Sequence, residues 1–232
     1  MSSQIPLPFV NFDHYSFEIF VPGQNNLAIM YLNNLISHNS GEILYLWGNS
    51  GTGKSHLLQA ACGQASKLGM KPGYIPLSEY NQLVPEVLKG LEALDLVCID
   101  DLESITGMQE WEKSLFNMFN NIVENKKSLV ITSTMSPSGN SIELPDLKSR
   151  LGSGVTYHLK YLSEDERLYA LKQRASLRGF ELSNDVLDYL SKRVARDMHT
   201  LFNWLDRMDE AIFVTKKKLT VPMVRELLDE KS

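Results

Sequence analysis

Cysteine is scarce: Cys62 and Cys98 are the only two in 232 residues, and both sit among apolar neighbours. They read as buried, reduced thiols rather than as a disulfide or a metal pair. Long apolar runs are missing as well, since no stretch approaches the length of a membrane span. The opening residues MSSQIPLPFV lack the basic start and long apolar core of a signal peptide. A cytoplasmic protein with no membrane partner is the expectation. Basic excess is the third absence. Lys and Arg number 23 against 28 Asp and Glu, a formal net charge of -5. A protein whose main task is to grip DNA usually carries the opposite sign, because neutralising phosphates supplies most of the affinity. The local run Lys216-Lys217-Lys218 reads either as a solvated turn between two helices or as a local DNA contact. There is no internal repeat and no low-complexity segment.

What remains is an ordinary globular composition, 43% hydrophobic and 22% charged. The length fits one large domain, or a larger domain with a small one. Residues 1–12, with Pro6 and Pro8, read as an extended tail. Leu27, Met30, Tyr31 and Leu35 stand at helical spacing within 24–38. The continuous apolar run Ile43 to Trp47 predicts a buried strand. A glycine-rich turn and a helix over about 54–67 follow. Further strands are expected at 74–77, at 94–99 ending on Asp100, at 129–132 and at 155–159. Trp111, Leu115, Met118, Phe119 and Ile122 mark an amphipathic helix between the third and fourth. This alternation predicts an α/β fold with a parallel sheet covered on both faces. Beyond Ser163 the pattern turns helical: Ser163 with Glu166 forms a capping box, Ser183 and Asp197 start the next two helices, and Thr220 with Pro222 announces the last. The expected organisation is a tail over 1–12, an α/β domain over 13–161 and a small all-α domain over 162–232.

Gly48-Asn49-Ser50-Gly51-Thr52-Gly53-Lys54-Ser55 matches G-x-x-x-x-G-K-[ST]. Glycines let the backbone turn tightly enough for consecutive N–H groups to face one anion, and the helix after them points its positive end at phosphate. Lys54 is then expected to reach the β- and γ-phosphates, with the Ser55 hydroxyl on Mg²⁺. A strand delivering Asp100-Asp101 beside this loop has the Walker B arrangement. Asp100 would hold Mg²⁺ through water, and Asp101 would orient or deprotonate the attacking water. Aspartate is one methylene shorter than the glutamate common at the second position, which implies slow hydrolysis. Thr132, Ser133 and Thr134, at the tip of the fourth strand, are candidates to reach the γ-phosphate.

A P-loop α/β domain followed by a helical lid resembles the AAA+ plan, and the details resemble its DnaA branch. Phe20-Val21-Pro22-Gly23-Gln24-Asn25-Asn26 is similar to the segment that walls the adenine pocket there. Asp100-Asp101 matches that branch's acidic pair. Leu129 to Pro137 resembles its sensor 1 strand, which implicates Ser133 and Thr134. Leu147-Lys148-Ser149-Arg150 resembles the box that carries an arginine finger. The resemblance thus implies nucleotide contacts from Phe20, Val21, Asn26, the P-loop residues, His56 and His199. His199 occupies the place of the usual sensor 2 arginine; it is shorter and mostly neutral near pH 7, which favours a bound diphosphate over intrinsic ATP turnover. The basic helix-turn-helix domain of DnaA is not expected here. Gln4, Leu7 and Phe9 resemble the short peptide by which bacterial proteins dock on the DNA polymerase III sliding clamp.

Taken together, the resemblance implies a regulator that binds ADP or ATP with Mg²⁺ and docks on the clamp. It would supply Arg150 in trans to ATP on DnaA and so lower replication initiation, meeting DNA mostly through the clamp. A homodimer is left open. The alternative is an autonomous AAA+ ATPase that remodels a partner in the manner of a helicase loader.

Overall fold

A computed structural model describes residues 15–38, 41–193 and 198–229, apart from the side chain of His199. The clamp-like residues Gln4, Leu7 and Phe9, the Asp197 cap and the His199 side chain lie outside what is described. The chain divides into two compact units, residues 1–160 and 161–232.

The first unit is built on five strands. They are β1 (Ile43–Trp47), β2 (Pro72–Pro76), β3 (Leu96–Asp100), β4 (Ser128–Ser133) and β5 (Val155–His158), ordered β2-β3-β4-β1-β5 and all parallel. Every residue of β3 and β4 is buried, as continuous apolar runs at the centre of a sheet require. Alternation along the strands sorts side chains onto two faces. Tyr45, Val97, Ile99, Leu129 and Ile131 meet Trp111, Leu115 and Phe119 of α3 (Gln109–Glu124) and Leu147 and Leu151 of α4 (Pro145–Leu151). Leu44, Leu46, Cys98 and Val130 face α1 (Asn26–His38) and α2 (Lys54–Lys67). Cys62 and Cys98 are free and buried.

Two expectations need correction. On α1 the buried stripe is Ala28, Leu32, Leu35 and Ile36, whereas Leu27 and Met30 are more than half exposed and Tyr31 is 40% exposed. Both stripes have helical spacing; the small Ala28 belongs to the one turned to the core. The second strand begins at Pro72 and ends at Pro76, and Leu77 already opens a 3₁₀ turn (Leu77–Gln82). Proline is tolerated there because β2 is an edge strand with one side free of ladder bonds. The segment carrying Arg150, to which the sequence pattern assigns no element, is helical, with Pro145 in the first turn, where its missing N–H costs nothing.

The second unit consists of α5 (Glu164–Leu177), α6 (Asn184–Arg193), α7 (Met198–Thr215) and α8 (Val221–Asp229). The capping box forms: Glu166 N–H donates to Ser163 Oγ at 3.3 Å, and Ser163 N–H donates to Glu166 Oε2 at 2.7 Å. Ser183 accepts from Val186 N–H at 3.4 Å at the start of α6. Leu171, Leu190, Leu205, Met208 and Val224 are fully buried within this unit. The Arg178 guanidinium pairs with Asp206.

Candidate functional site

The C-terminal ends of β1, β3 and β4 lie side by side, and the loops leaving them bring the motif residues together. In parallel α/β sheets this edge is where ligands bind. The glycine-rich loop leaves β1 at Gly48, whose N–H donates to Ser133 O at 3.1 Å. Gly51 and Gly53 have φ of 81° and 92°, values that L side chains rarely adopt. A Cβ at Gly53 would also stand 2.6 Å from the Phe20 ring. Gly53 caps α2 without any side-chain hydrogen bond, so the first N–H groups of that helix have no side chain competing for them. Lys54, 7% exposed, donates from Nζ to Gly48 O at 2.9 Å and to Asn49 O at 3.3 Å. Thr52 Oγ1 donates to Asn49 O at 2.9 Å. Asn49 and Ser50 are exposed at the tip, and Ser55 is half-buried. This cradle of glycines, a bare helix start and an inward lysine fits a polyphosphate.

The acidic pair stands at the end of β3 in two different environments. Asp100 is 1% exposed, and both its oxygens accept hydrogen bonds, Oδ2 from Tyr74 OH at 2.7 Å and Oδ1 from Thr132 Oγ1. Burial and the adjacent carboxylate push the Tyr74 phenol far up, so it stays a donor. Asp101 adopts the left-handed conformation, φ 55° and ψ 52°, which aspartate tolerates better than most residues. Its N–H donates to Thr132 Oγ1 at 3.1 Å. Burial, then repulsion from Asp100 and Glu103, push its carboxyl up to about 6; Lys54 and a bond with Ser78 pull the other way.

That value has a measurable consequence. A carboxyl raised from its usual 3.8 binds its proton more tightly in the folded state than in the unfolded one. Asp101 therefore costs nothing below about pH 4, and its charge destabilises progressively up to about pH 6. Asn tolerates the same backbone conformation, so Asp101→Asn isolates the charge. The shift amounts to about 3 kcal/mol, which solvent screening at this part-exposed position cuts to about 1 kcal/mol. Thermal unfolding of Asp101→Asn is expected about 2–4 °C above the parent near pH 7.5, with no gap near pH 4. A gap independent of pH would show that the charge is not the cause.

Of the three hydroxyls at the tip of β4, Thr132 touches the acidic pair. Ser133 points to the opposite face, where its Oγ accepts from Met135 N–H at 3.3 Å and from Asn140 Nδ2 at 3.4 Å. Thr134 is half-buried beyond the strand. Strand alternation is the reason, and it would have singled out Thr132.

Phe20 and Val21 are half-buried, with Phe20 packed against Gly53. His56 lies against this segment: Nε2 is 3.0 Å from Ser16 O, and the Tyr15 and Phe20 rings meet its ring edge-on at 5.2 Å each. Asn26 is exposed, its amide 3.4 Å from Gly23 O. Its neighbour Asn25, missed in the sequence, is the buried one. It donates to Lys160 O at 2.9 Å and accepts from Lys160 N–H at 2.7 Å, tying the segment before α1 to the end of the sheet. Two adjacent asparagines give no local sign of which one turns inward.

Arg150 lies in the last turn of α4, exposed, and no ion pair among the described residues engages its guanidinium. Lys148, in the same helix, is committed to Asn140 O at 3.0 Å. Among the described residues no cluster of three or more His, Cys, Asp or Glu is arranged to hold a metal ion unaided. Nor is any described helix long and apolar enough to cross a membrane.

A parallel sheet in the order 2-3-4-1-5, a P-loop after its first strand, an acidic pair after its third and a helical domain next in the sequence define an AAA+ protein. The bacterial DnaA ATPase domain matches residues 12–158, and the Hda lid domain matches residues 164–228. The chain belongs to the DnaA family of AAA+ proteins and carries an Hda-type lid, which ties it to the initiation of replication. Domain III of the Thermotoga maritima replication initiation protein DnaA superposes with a TM-score of 0.82 at 24% identity, covering 97% of this chain and 98% of that one. AMPPCP-bound DnaA from Aquifex aeolicus gives 0.71 at 25% identity over 86% of this chain and 66% of that one. The Thermotoga maritima RuvB Holliday junction branch migration motor gives 0.70 at 18% identity, over 94% and 73%.

Proposed function

We propose that this protein binds ADP or ATP at the Gly48–Ser55 loop, docks on the sliding clamp through Gln4, Leu7 and Phe9, and stimulates hydrolysis of ATP held by DnaA. Arg150 is the group it supplies in trans, and the protein is a negative regulator of replication initiation. The observation that carries this reading is Arg150 itself: a guanidinium with no ion-pair partner among the described residues, exposed at the end of a helix whose start is held by buried polar contacts. Such a group inserted beside a neighbour's γ-phosphate stabilises the charge that develops there.

In the protein's own site, Lys54 and the N–H groups at the start of α2 would bind the phosphates, with the Phe20–Val21 segment beside them. Ser55 and, through water, Asp100 would hold Mg²⁺; each Asp100 oxygen keeps a lone pair beyond the bonds it already accepts. Bound Mg²⁺ neutralises phosphate charge. Asp101 stands beside Asp100 at the end of β3, where its carboxylate would orient the attacking water. This last feature favours the second reading, an autonomous ATPase of the helicase-loader kind. Sustained ATP turnover by the isolated protein would select it.

The test of the main reading is a reconstitution with ATP-loaded DnaA and DNA-loaded clamp, following phosphate release. Hydrolysis is expected to rise with the amount of this protein; an unchanged rate would end the proposal. A clamp pull-down isolates the docking step. The intact chain is expected to be retained and a chain lacking residues 1–10 lost, and equal retention would remove the clamp from the reading.

A further inference from the structure

Glu112 lies on the buried face of α3 and is 1% exposed. Its Oε1 accepts from Gly107 N–H at 2.8 Å and from Glu143 N–H at 3.2 Å. Its Oε2 accepts from Glu143 N–H at 3.0 Å and from Leu144 N–H at 2.8 Å. Three backbone donors from two distant segments thus converge on one carboxylate. Gly107 ends the segment that begins at Asp101 and runs through the 3₁₀ turn Leu102–Ile105, while Leu144 is the residue that caps α4. No ion pair among the described residues involves Glu112. A buried carboxylate without a cation is costly unless fully hydrogen-bonded, and an apolar residue would fill the same core position more cheaply.

A second strut runs parallel to the first. Asn140, 3% exposed, donates from its amide to Tyr45 OH at 3.2 Å and to Ser133 Oγ at 3.4 Å. Its backbone carbonyl accepts from Lys148 Nζ, two residues before Arg150. Tyr45 OH in turn donates to Met135 O at 3.0 Å. The stretch 135–144 contains no helix or strand, so these polar bonds, together with the core packing of Ile142, Leu144, Leu147 and Leu151, hold α4 to the body.

We infer that Glu112 is a positioning residue for Arg150: it locks the segment after the acidic pair and the start of the Arg150 helix into one fixed relation, with Asn140 as the second strut. The inference rests on the reading of Arg150 as the group supplied to a partner's ATP.

Glu112→Gln keeps the shape but puts an NH₂ where an accepting oxygen stood, leaving at least one backbone donor unmatched. Phosphate release from ATP-loaded DnaA is measured against the concentration of this protein, with clamp present. The maximal rate is expected to fall about tenfold to a hundredfold, the range that a misplacement of about an ångström produces, while the half-saturating concentration stays put. A role in the fold or in assembly alone would raise the half-saturating concentration and spare the maximum. Should Glu112→Gln not fold, Asn140→Ala is assayed identically and is expected to show the same split. Parental maximal rates in both variants, or a change confined to the half-saturating concentration, would overturn the inference. If instead Arg150→Ala itself stimulates normally, the finger reading fails, and that outcome is read without any Glu112 variant.

Discussion

Arg150→Ala is expected to leave a folded, nucleotide-binding protein that no longer accelerates ATP hydrolysis on DnaA. The two halves of this result have separate causes. On the stability side, Arg150 is exposed and has no ion pair among the described residues. Its removal costs a favourable interaction with the C-terminal end of a seven-residue helix, about 0.5 kcal/mol. On the activity side, an arginine finger contributes about 10³–10⁵ in rate, because it meets developing charge in a water-poor site. The other cation in the last turn of this helix, Lys148, is held by the Asn140 carbonyl, in a bond that also braces the helix. Arg150→Lys sharpens the test. Lysine keeps the charge but loses the planar fork that grips two phosphate oxygens, so an intermediate rate is expected. Phosphate release is the measurement, with thermal unfolding and ADP binding as controls. A parental rate in Arg150→Ala would sink the finger; equal rates for the lysine variant and the parent would mean that charge alone acts, without bidentate geometry.

What the sequence made legible is local. The P-loop, the acidic pair, the capping box at Ser163 and the buried central strands each depend on residues within one element, so spacing was enough. What it concealed depends on distant partners. Glu112 follows Trp111 and shares a helix face with Leu115 and Phe119, a charge inside an apolar stripe. That was a visible signal, but its partners Glu143 and Leu144 lie more than thirty residues on. Asn25 likewise finds Lys160 across 135 residues. The exposed stripe of α1 shows the reverse limit: periodicity fixes that a helix is amphipathic without saying which of two apolar stripes is inward. On β4 the detail that spacing left open is phase. Thr132 and Ser133 point to opposite faces, and only the face shared with Asp100 bears on the acidic pair.

Lys54→Ala is expected to lower ADP affinity by about a hundredfold, the effect of losing about 2–3 kcal/mol of charge-assisted hydrogen bonding to phosphate. The ammonium is already gathered into the loop by Gly48 O and Asn49 O, so binding requires little further ordering of a side chain that is 7% exposed. Thermal unfolding reads the loss directly. At an ADP concentration about a thousandfold above the parent's Kd, ligand linkage contributes about 4 kcal/mol, and in the variant about 1.4 kcal/mol. The ADP-induced rise in midpoint is therefore expected to shrink to about a third. Lys54 also counters the charge of Asp101. Its removal moves the Asp101 carboxyl further up, so the carboxylate destabilises the variant more near neutral pH. Adding Asp101→Asn to Lys54→Ala is then expected to raise the midpoint more than Asp101→Asn does alone, and the excess should vanish near pH 4, where the carboxyl is neutral in both backgrounds. Strict additivity at neutral pH would mean that Lys54 and Asp101 do not share one field, and an unchanged ADP response in Lys54→Ala would remove the loop from the nucleotide site altogether.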